Sequence, residues 1–80
     1  MLDNSVLSIM STYIEEFLNQ DISSKKFVNA VFANRDKDFK MQAEQIFDKL
    51  EKIRNLDLNN DQKSEKIEKI SEKLYILLSK

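Results

Sequence analysis

The 80-residue chain contains neither glycine nor proline, and this double absence is the strongest constraint on how it folds. Glycine adopts left-handed backbone without steric cost, and proline presets the first position of many turns. Without them, Asn, Asp and Ser must form the turns and cap the helices. Because glycine is also required where backbone closely approaches a phosphate, the sequence excludes a phosphate-binding loop and a dinucleotide-binding fingerprint.

Cysteine and histidine are also missing from the chain. Their absence excludes a zinc finger, a disulfide framework, a thiol nucleophile, a haem ligand and a histidine base. The adjacent carboxylates of Glu15 and Glu16 do not replace them, because neighbouring positions on a helix point about 100° apart and do not converge. We therefore predict that the protein is not an enzyme and that it uses no cofactor.

Four segments carry apolar residues three and four positions apart, which is the spacing of amphipathic helices. The apolar positions are Val6, Leu7, Met10, Tyr13, Ile14, Phe17 and Leu18, then Phe27, Ala30 and Val31, then Phe39, Ala43, Ile46, Phe47, Leu50 and Ile53, and finally Ile67, Ile70, Leu74, Leu77 and Leu78. Ser23, Asp36 or Asp38, and Asn59 are the predicted caps of the last three helices. Asn19 is expected to end the first helix in left-handed backbone.

One-sided apolar stripes and connections of about three to six residues predict an all-α fold, a small four-helix antiparallel bundle. Residues 1–80 should form a single helical domain. The predicted core consists of Phe17, Phe27, Val31, Phe39, Phe47, Leu50, Ile70 and Leu74. Alternatively, the stripe of the last helix, at 67, 70, 74 and 77, packs against a second copy as a short coiled coil. We accordingly predict a monomer or a weak homodimer.

The charges are unevenly distributed, although the net charge is only −1. Residues 1–24 contain no base and the four acids Asp3, Glu15, Glu16 and Asp21. This acidic first quarter is a candidate surface for a basic partner, and the alternative is that it is a solvated face. The lysines between 49 and 73 alternate with acids, so we interpret them as a solubilising face and predict no nucleic-acid partner.

No apolar run approaches the roughly 20 residues that cross a bilayer. The N-terminus also lacks the basic segment and the long apolar core of a secretory signal. We therefore predict no membrane partner and a cytoplasmic location.

Residues 57–68 contain the pattern closest to a metal site. Acids and amides occupy positions 1, 3, 5, 9 and 12 of a calcium loop. Gln62 stands where such a loop needs glycine, and Ser64 stands where it normally has an apolar residue. We favour a polar turn and helix capping for this stretch, with weak calcium binding as the alternative.

Residues 9–32 carry the most informative motif. An amphipathic helix closes on Phe17-Leu-Asn, a short turn leads to Ile22-Ser23, and Phe27 follows four residues after the serine. This arrangement resembles the opening of the colicin D immunity-protein family and of related immunity proteins from contact-dependent growth inhibition systems. The third helical segment and the leucine-rich last helix resemble that family more loosely.

The resemblance implies a four-helix protein that binds and neutralises a cognate toxin domain, often a ribonuclease. Inhibition would come from carboxylates that cover the basic active site in place of substrate phosphates. Carried onto this chain, the resemblance implies the partner-binding residues Glu15, Glu16, Asp21, Asp57, Asp61 and Tyr75. The alternative is a small structural or regulatory helical protein that self-associates through its C-terminal helix.

Overall fold

A computed structural model describes residues 4–79, which form four α-helices joined by three short connections. The helices are α1 (Asn4–Leu18), α2 (Ser24–Val31), α3 (Lys37–Arg54) and α4 (Asn60–Leu78). The connections 19–23, 32–36 and 55–59 each contain five residues, and none of the described residues lies in a β-strand. The all-α, four-helix prediction is confirmed. Asp3, assigned above to the acidic first quarter, lies outside the described residues.

Short polar side chains cap the last three helices. The side-chain oxygens of Ser23, Asp36 and Asn59 accept the N–H of the residue three positions later, at 3.3, 2.8 and 2.8 Å. Each bond satisfies one of the backbone donors that a helix start leaves without a partner. The predicted caps are therefore confirmed, with Asp36 and not Asp38 at the start of α3.

The chain turns without left-handed backbone. No residue between 4 and 79 has a positive φ, so the expectation that Asn19 adopts this conformation is wrong. The Asn19 N–H instead donates to the Glu15 carbonyl at 3.1 Å, and the Gln20 N–H donates to the Phe17 carbonyl at 3.3 Å. These bonds end α1 without a positive φ, so the end of the helix does not need the left-handed backbone that glycine favours.

The first three helices alternate in direction. Tyr13 of α1 contacts Phe32, which follows α2, while Phe17 further along α1 contacts Phe27 near the start of α2, both with ring centroids 5.1 Å apart. Phe32 also contacts Phe39 at the start of α3, at 5.2 Å. Helices α1 and α2 are therefore antiparallel, and the end of α2 meets the start of α3.

Helix α4 completes the alternation by packing between α3 and α1. Its residues 66–70 lie against the end of α3, and Ile76 and Leu77 lie against Gln42 and Ile46 nearer the start of α3. On α1, Leu18 lies near Ile67, and the start of α1 lies near the end of α4. As a result, the connections 19–23 and 55–59 lie at the same end of the bundle.

A single hydrophobic cluster joins all four helices. Of the eight predicted core residues, all except Val31 are buried, and Val31 packs against the cluster while half-buried. The predicted stripe of α2 is displaced, because Val28 and Phe32 face the core and Ala30 is exposed. The aromatic rings of Phe17, Phe27, Phe32, Phe39 and Phe47 form the centre of the cluster.

Candidate protein-binding surfaces

The predicted acidic partner-binding residues gather at one end of the bundle. Glu15 and Glu16 lie in the last turn of α1, and Asp21 lies in the connection that follows. Asp57 lies in the connection between α3 and α4, and Asp61 lies in the first turn of α4. All five side chains are exposed. Residues that are more than 35 positions apart in sequence therefore form one surface, which we call the acidic end.

Arg54, the last residue of α3, holds the two connections of this end together. Its Nη1 atom donates to the carbonyl oxygens of Phe17, Gln20 and Ile22 at 3.2, 2.7 and 3.0 Å. Nη1 carries two hydrogens, so one of them is shared between two carbonyls. The guanidinium also lies over the Phe17 ring, 4.8 Å from its centroid. Through Nη1, Arg54 therefore bonds the backbone of the first connection and positions the start of α2 beside the end of α3.

Basic residues also lie at this end of the bundle. Lys25 and Lys26 belong to the first turn of α2, and Lys63 belongs to the first turn of α4. The acidic end is therefore a mixed surface, in which the carboxylates lie on the last turn of α1, in the two connections and at the start of α4.

The sixth predicted residue, Tyr75, is not part of the acidic end. It lies fourteen positions beyond Asp61 on the same helix, which corresponds to about 21 Å along the axis. Its side chain is half-buried and packs against the core. The structure thus brings five of the six predicted residues together and leaves Tyr75 near the opposite end.

Residues 57–68 do not form a calcium loop. Helix α4 begins at Asn60, so most positions of the pattern are helical and the oxygens spread along an axis instead of surrounding one ion. In the part of the chain that the structure describes, no group of three or more acids is placed to hold a metal ion. The structure contradicts the calcium-loop alternative.

A second surface, absent from the sequence-based interpretation, lies between α3 and α4. Five exposed lysines line one groove of about 380 Å³ over an apolar floor, and we call this groove the lysine groove. Its lining residues are Lys49, Lys52, Ile53, Leu56, Lys66, Lys69, Ile70 and Lys73. None of these lining residues is acidic. The lysines therefore converge on one groove, which differs from the solubilising face that their alternation with acids predicts.

The acids that alternate with the lysines of α3 point elsewhere. The Ser24 N–H donates to Glu51 Oε1 at 2.7 Å, and the Ser24 hydroxyl donates to Asp48 Oδ1. Both carboxylates thus dock the start of α2, where negative charge is favourable because the helix dipole is positive there. Asp48 and Glu51 therefore contact α2, whereas Lys49 and Lys52 line the groove beside α4.

The signal for the groove is present in the sequence as a helical spacing. Lys49 and Lys52 are three positions apart, and Lys66, Lys69 and Lys73 are three and four apart, so each set occupies one helix face. The spacing does not show that α3 and α4 pack antiparallel. It is this packing that places the two lysine-bearing faces beside each other.

Like charges face each other inside the groove. Lys73 lowers the pKa of Lys49 below its ordinary value, first through a side-chain contact in which both groups are donors and then through charge repulsion, with smaller contributions from desolvation and from Lys52. Because the folded-state pKa is the lower one, the unfolded chain binds more protons between the two pKa values. This pair therefore makes folding more favourable as the pH rises through that window.

We expect Lys73→Gln to raise the melting temperature near about pH 7 in low salt, because it removes the repulsion on Lys49. The difference from the unmodified protein should shrink when salt is added and when the pH rises through the lowered pKa of Lys49. Lys25→Gln, an exposed lysine outside the groove, is the matched control. Equal melting temperatures for the two variants under all these conditions would contradict the prediction.

Together, these features define a small all-α protein, a four-helix bundle with an acidic end and a separate lysine groove. We found no protein-family model, curated protein or solved structure that matches the chain. None of the described helices combines the length and the apolar character needed to cross a membrane.

Proposed function

We propose that the chain is an immunity protein that binds a cognate bacterial toxin, a ribonuclease, and covers its basic active site with the acidic end. The observation that supports this proposal most strongly is the meeting of the connections 19–23 and 55–59 at one end of the bundle. The acids predicted from the resemblance thereby share a surface that a single partner can contact. The similarity of residues 9–32 to the opening of the colicin D immunity-protein family supports the same function.

The carboxylates of this surface are not used to hold the fold. Glu15, Glu16, Asp21, Asp57 and Asp61 are exposed, and none of their carboxylates accepts a side-chain hydrogen bond within residues 4–79. They are therefore available to replace substrate phosphates in a basic active site. Opposite charges on the two proteins would accelerate their encounter and select the cognate partner.

The test is co-expression with the product of the neighbouring gene, followed by purification of the complex and a growth assay. We expect a stable complex and rescue of growth. Glu16→Lys combined with Asp57→Lys should weaken binding at least about tenfold, mainly through slower association. Asp38→Lys combined with Glu72→Lys, the same charge change on exposed positions away from the acidic end, is the control.

Two results would overturn the proposal. One is the absence of both a complex and growth rescue with the neighbouring gene's product. The other is an equal loss of affinity in the two double variants, since that would assign the effect to net charge and not to the acidic end. Circular dichroism of each variant confirms that the bundle remains folded.

The alternative function is self-association through α4, and it would require side chains that already pack in the core of the bundle. Ile70, Leu74 and Leu77 of the proposed stripe are buried in the chain's own core. A second copy would reach them only if α4 left the bundle. The acidic end carries no such conflict, which is why we favour the immunity function.

A further inference from the structure

The lysine groove is a surface distinct from the acidic end and opposite to it in charge. We propose that it is a docking site for an acidic amphipathic helix of a partner protein. The proposal goes beyond the immunity function and does not depend on it, because the groove lies between α3 and α4 and is lined by none of the five carboxylates of the acidic end.

The groove is long enough to hold a helix. Lys49 and Lys73 also line a second hollow of about 260 Å³, whose lining includes Gln42, Ile76 and Leu77. Together the two hollows extend along α3 from Gln42 to Ile53, a distance of about 17 Å at 1.5 Å per residue, and Leu56 lies just beyond the end of the helix. This length matches about three turns of a partner helix.

The floor of the groove is apolar along its length. Ile46, Ile53 and Ile70 lie along it, and each is less than 10% exposed. Leu56 at one end and Ile76 at the other are 44% and 60% exposed, which makes them two of the few large apolar side chains left in contact with solvent. A partner helix with an apolar stripe would cover both.

The edges of the groove determine the charge of the ligand. Lys49 and Lys52 flank the floor on the α3 side, and Lys66, Lys69 and Lys73 flank it on the α4 side. An apolar floor between two rows of lysines is complementary to an apolar stripe between two rows of Glu or Asp. Carboxylates would also relieve the repulsion between Lys49 and Lys73.

Two other polyanions fit the groove less well. Single-stranded nucleic acid is held in part by bases stacked on aromatic rings, and no aromatic side chain is among the residues that line either hollow. A lipid surface is flat on this scale and would meet the rims of a concave site while leaving Ile53 and Ile70 uncovered. The combination of apolar floor and cationic edges favours an acidic helix over both.

The test uses a synthetic peptide as probe and the isotopically labelled full chain. The peptide has about 14 residues, with leucines at helical spacing and glutamates on both flanks of the leucine stripe. We expect its addition to shift amide resonances of α3 and α4 along the groove. Lys52→Gln combined with Lys69→Gln should weaken binding at least about tenfold, whereas Lys25→Gln combined with Lys26→Gln should change it less than about twofold.

Several outcomes would overturn the proposal. They are the absence of groove shifts at about 1 mM peptide, equal binding of a peptide with lysine in place of glutamate, and equal weakening by the two double variants. Binding of phosphatidylserine vesicles or single-stranded RNA through Lys52 and Lys69, without peptide binding, would assign the groove to those ligands instead. A dimer abolished by the same double variant would assign it to a second copy of the chain.

Discussion

Phe47→Ala is expected to lower the free energy of unfolding by about 3–5 kcal/mol. Phe47 is completely buried, and its ring lies 5.2, 4.9 and 6.3 Å from the ring centroids of Phe17, Phe27 and Phe32. It therefore connects α1, α2 and α3 at one point. A core of this size supplies a net stability of about 3–5 kcal/mol, so the variant should be largely unfolded at room temperature.

Urea unfolding followed by circular dichroism measures this effect. Phe47→Leu fills most of the volume without the ring contacts and should cost about 1–2 kcal/mol. Ile76→Ala truncates an exposed side chain and should change stability by less than about 0.5 kcal/mol. If Phe47→Ala unfolded at the same urea concentration as Ile76→Ala, the aromatic cluster would not be the junction of the bundle.

Arg54→Met is expected to cost about 1.5–3 kcal/mol, because it removes a charged donor from three backbone carbonyls at once. The carbonyl oxygens of Phe17, Gln20 and Ile22 would then depend on water for these hydrogen bonds. Methionine retains much of the packing against the Phe17 ring, so the loss reports mainly on the hydrogen bonds. The connection between α1 and α2 should also exchange its amide hydrogens faster.

Arg35→Met is the matched control for this variant. Arg35 also lies over an aromatic ring, 4.4 Å from the Phe39 centroid, but its guanidinium donates to no carbonyl among the described residues. Its replacement should cost about 0.5–1 kcal/mol. Equal losses for the two variants would mean that the ring contact, and not the carbonyl bonds, accounts for the effect of Arg54.

Much of the fold was predictable because local rules dominate in this chain. Apolar spacing located all four helices, and the caps at Ser23, Asp36 and Asn59 followed from short polar side chains before an apolar stripe. The stripe of α2 was displaced because that helix has only eight residues. So short a stripe specifies its direction weakly, and the docking of Ser24 onto Asp48 and Glu51 helps to orient it.

The surfaces were predictable only in part, since each combines residues from distant segments. The acids were identified individually, but their meeting at one end required the alternation of helix directions. Arg54 had no assigned role, although it bonds backbone more than 30 residues away. Its partners are carbonyl oxygens, which every residue possesses, so no sequence pattern distinguishes them.

By itself, the sequence determined the secondary structure and the set of excluded chemistries. A chain without glycine, proline, cysteine or histidine, and with four one-sided apolar stripes, is restricted to capped helices that cover one another. Only the tertiary structure decided which charges act together. Helical spacing places lysines on one face of α3 and on one face of α4, but the antiparallel packing of the two helices brings those faces to a single groove. The physical reason is that the spacing of side chains specifies a direction around the axis of one helix. A surface formed by two helices depends also on the position of one helix relative to the other.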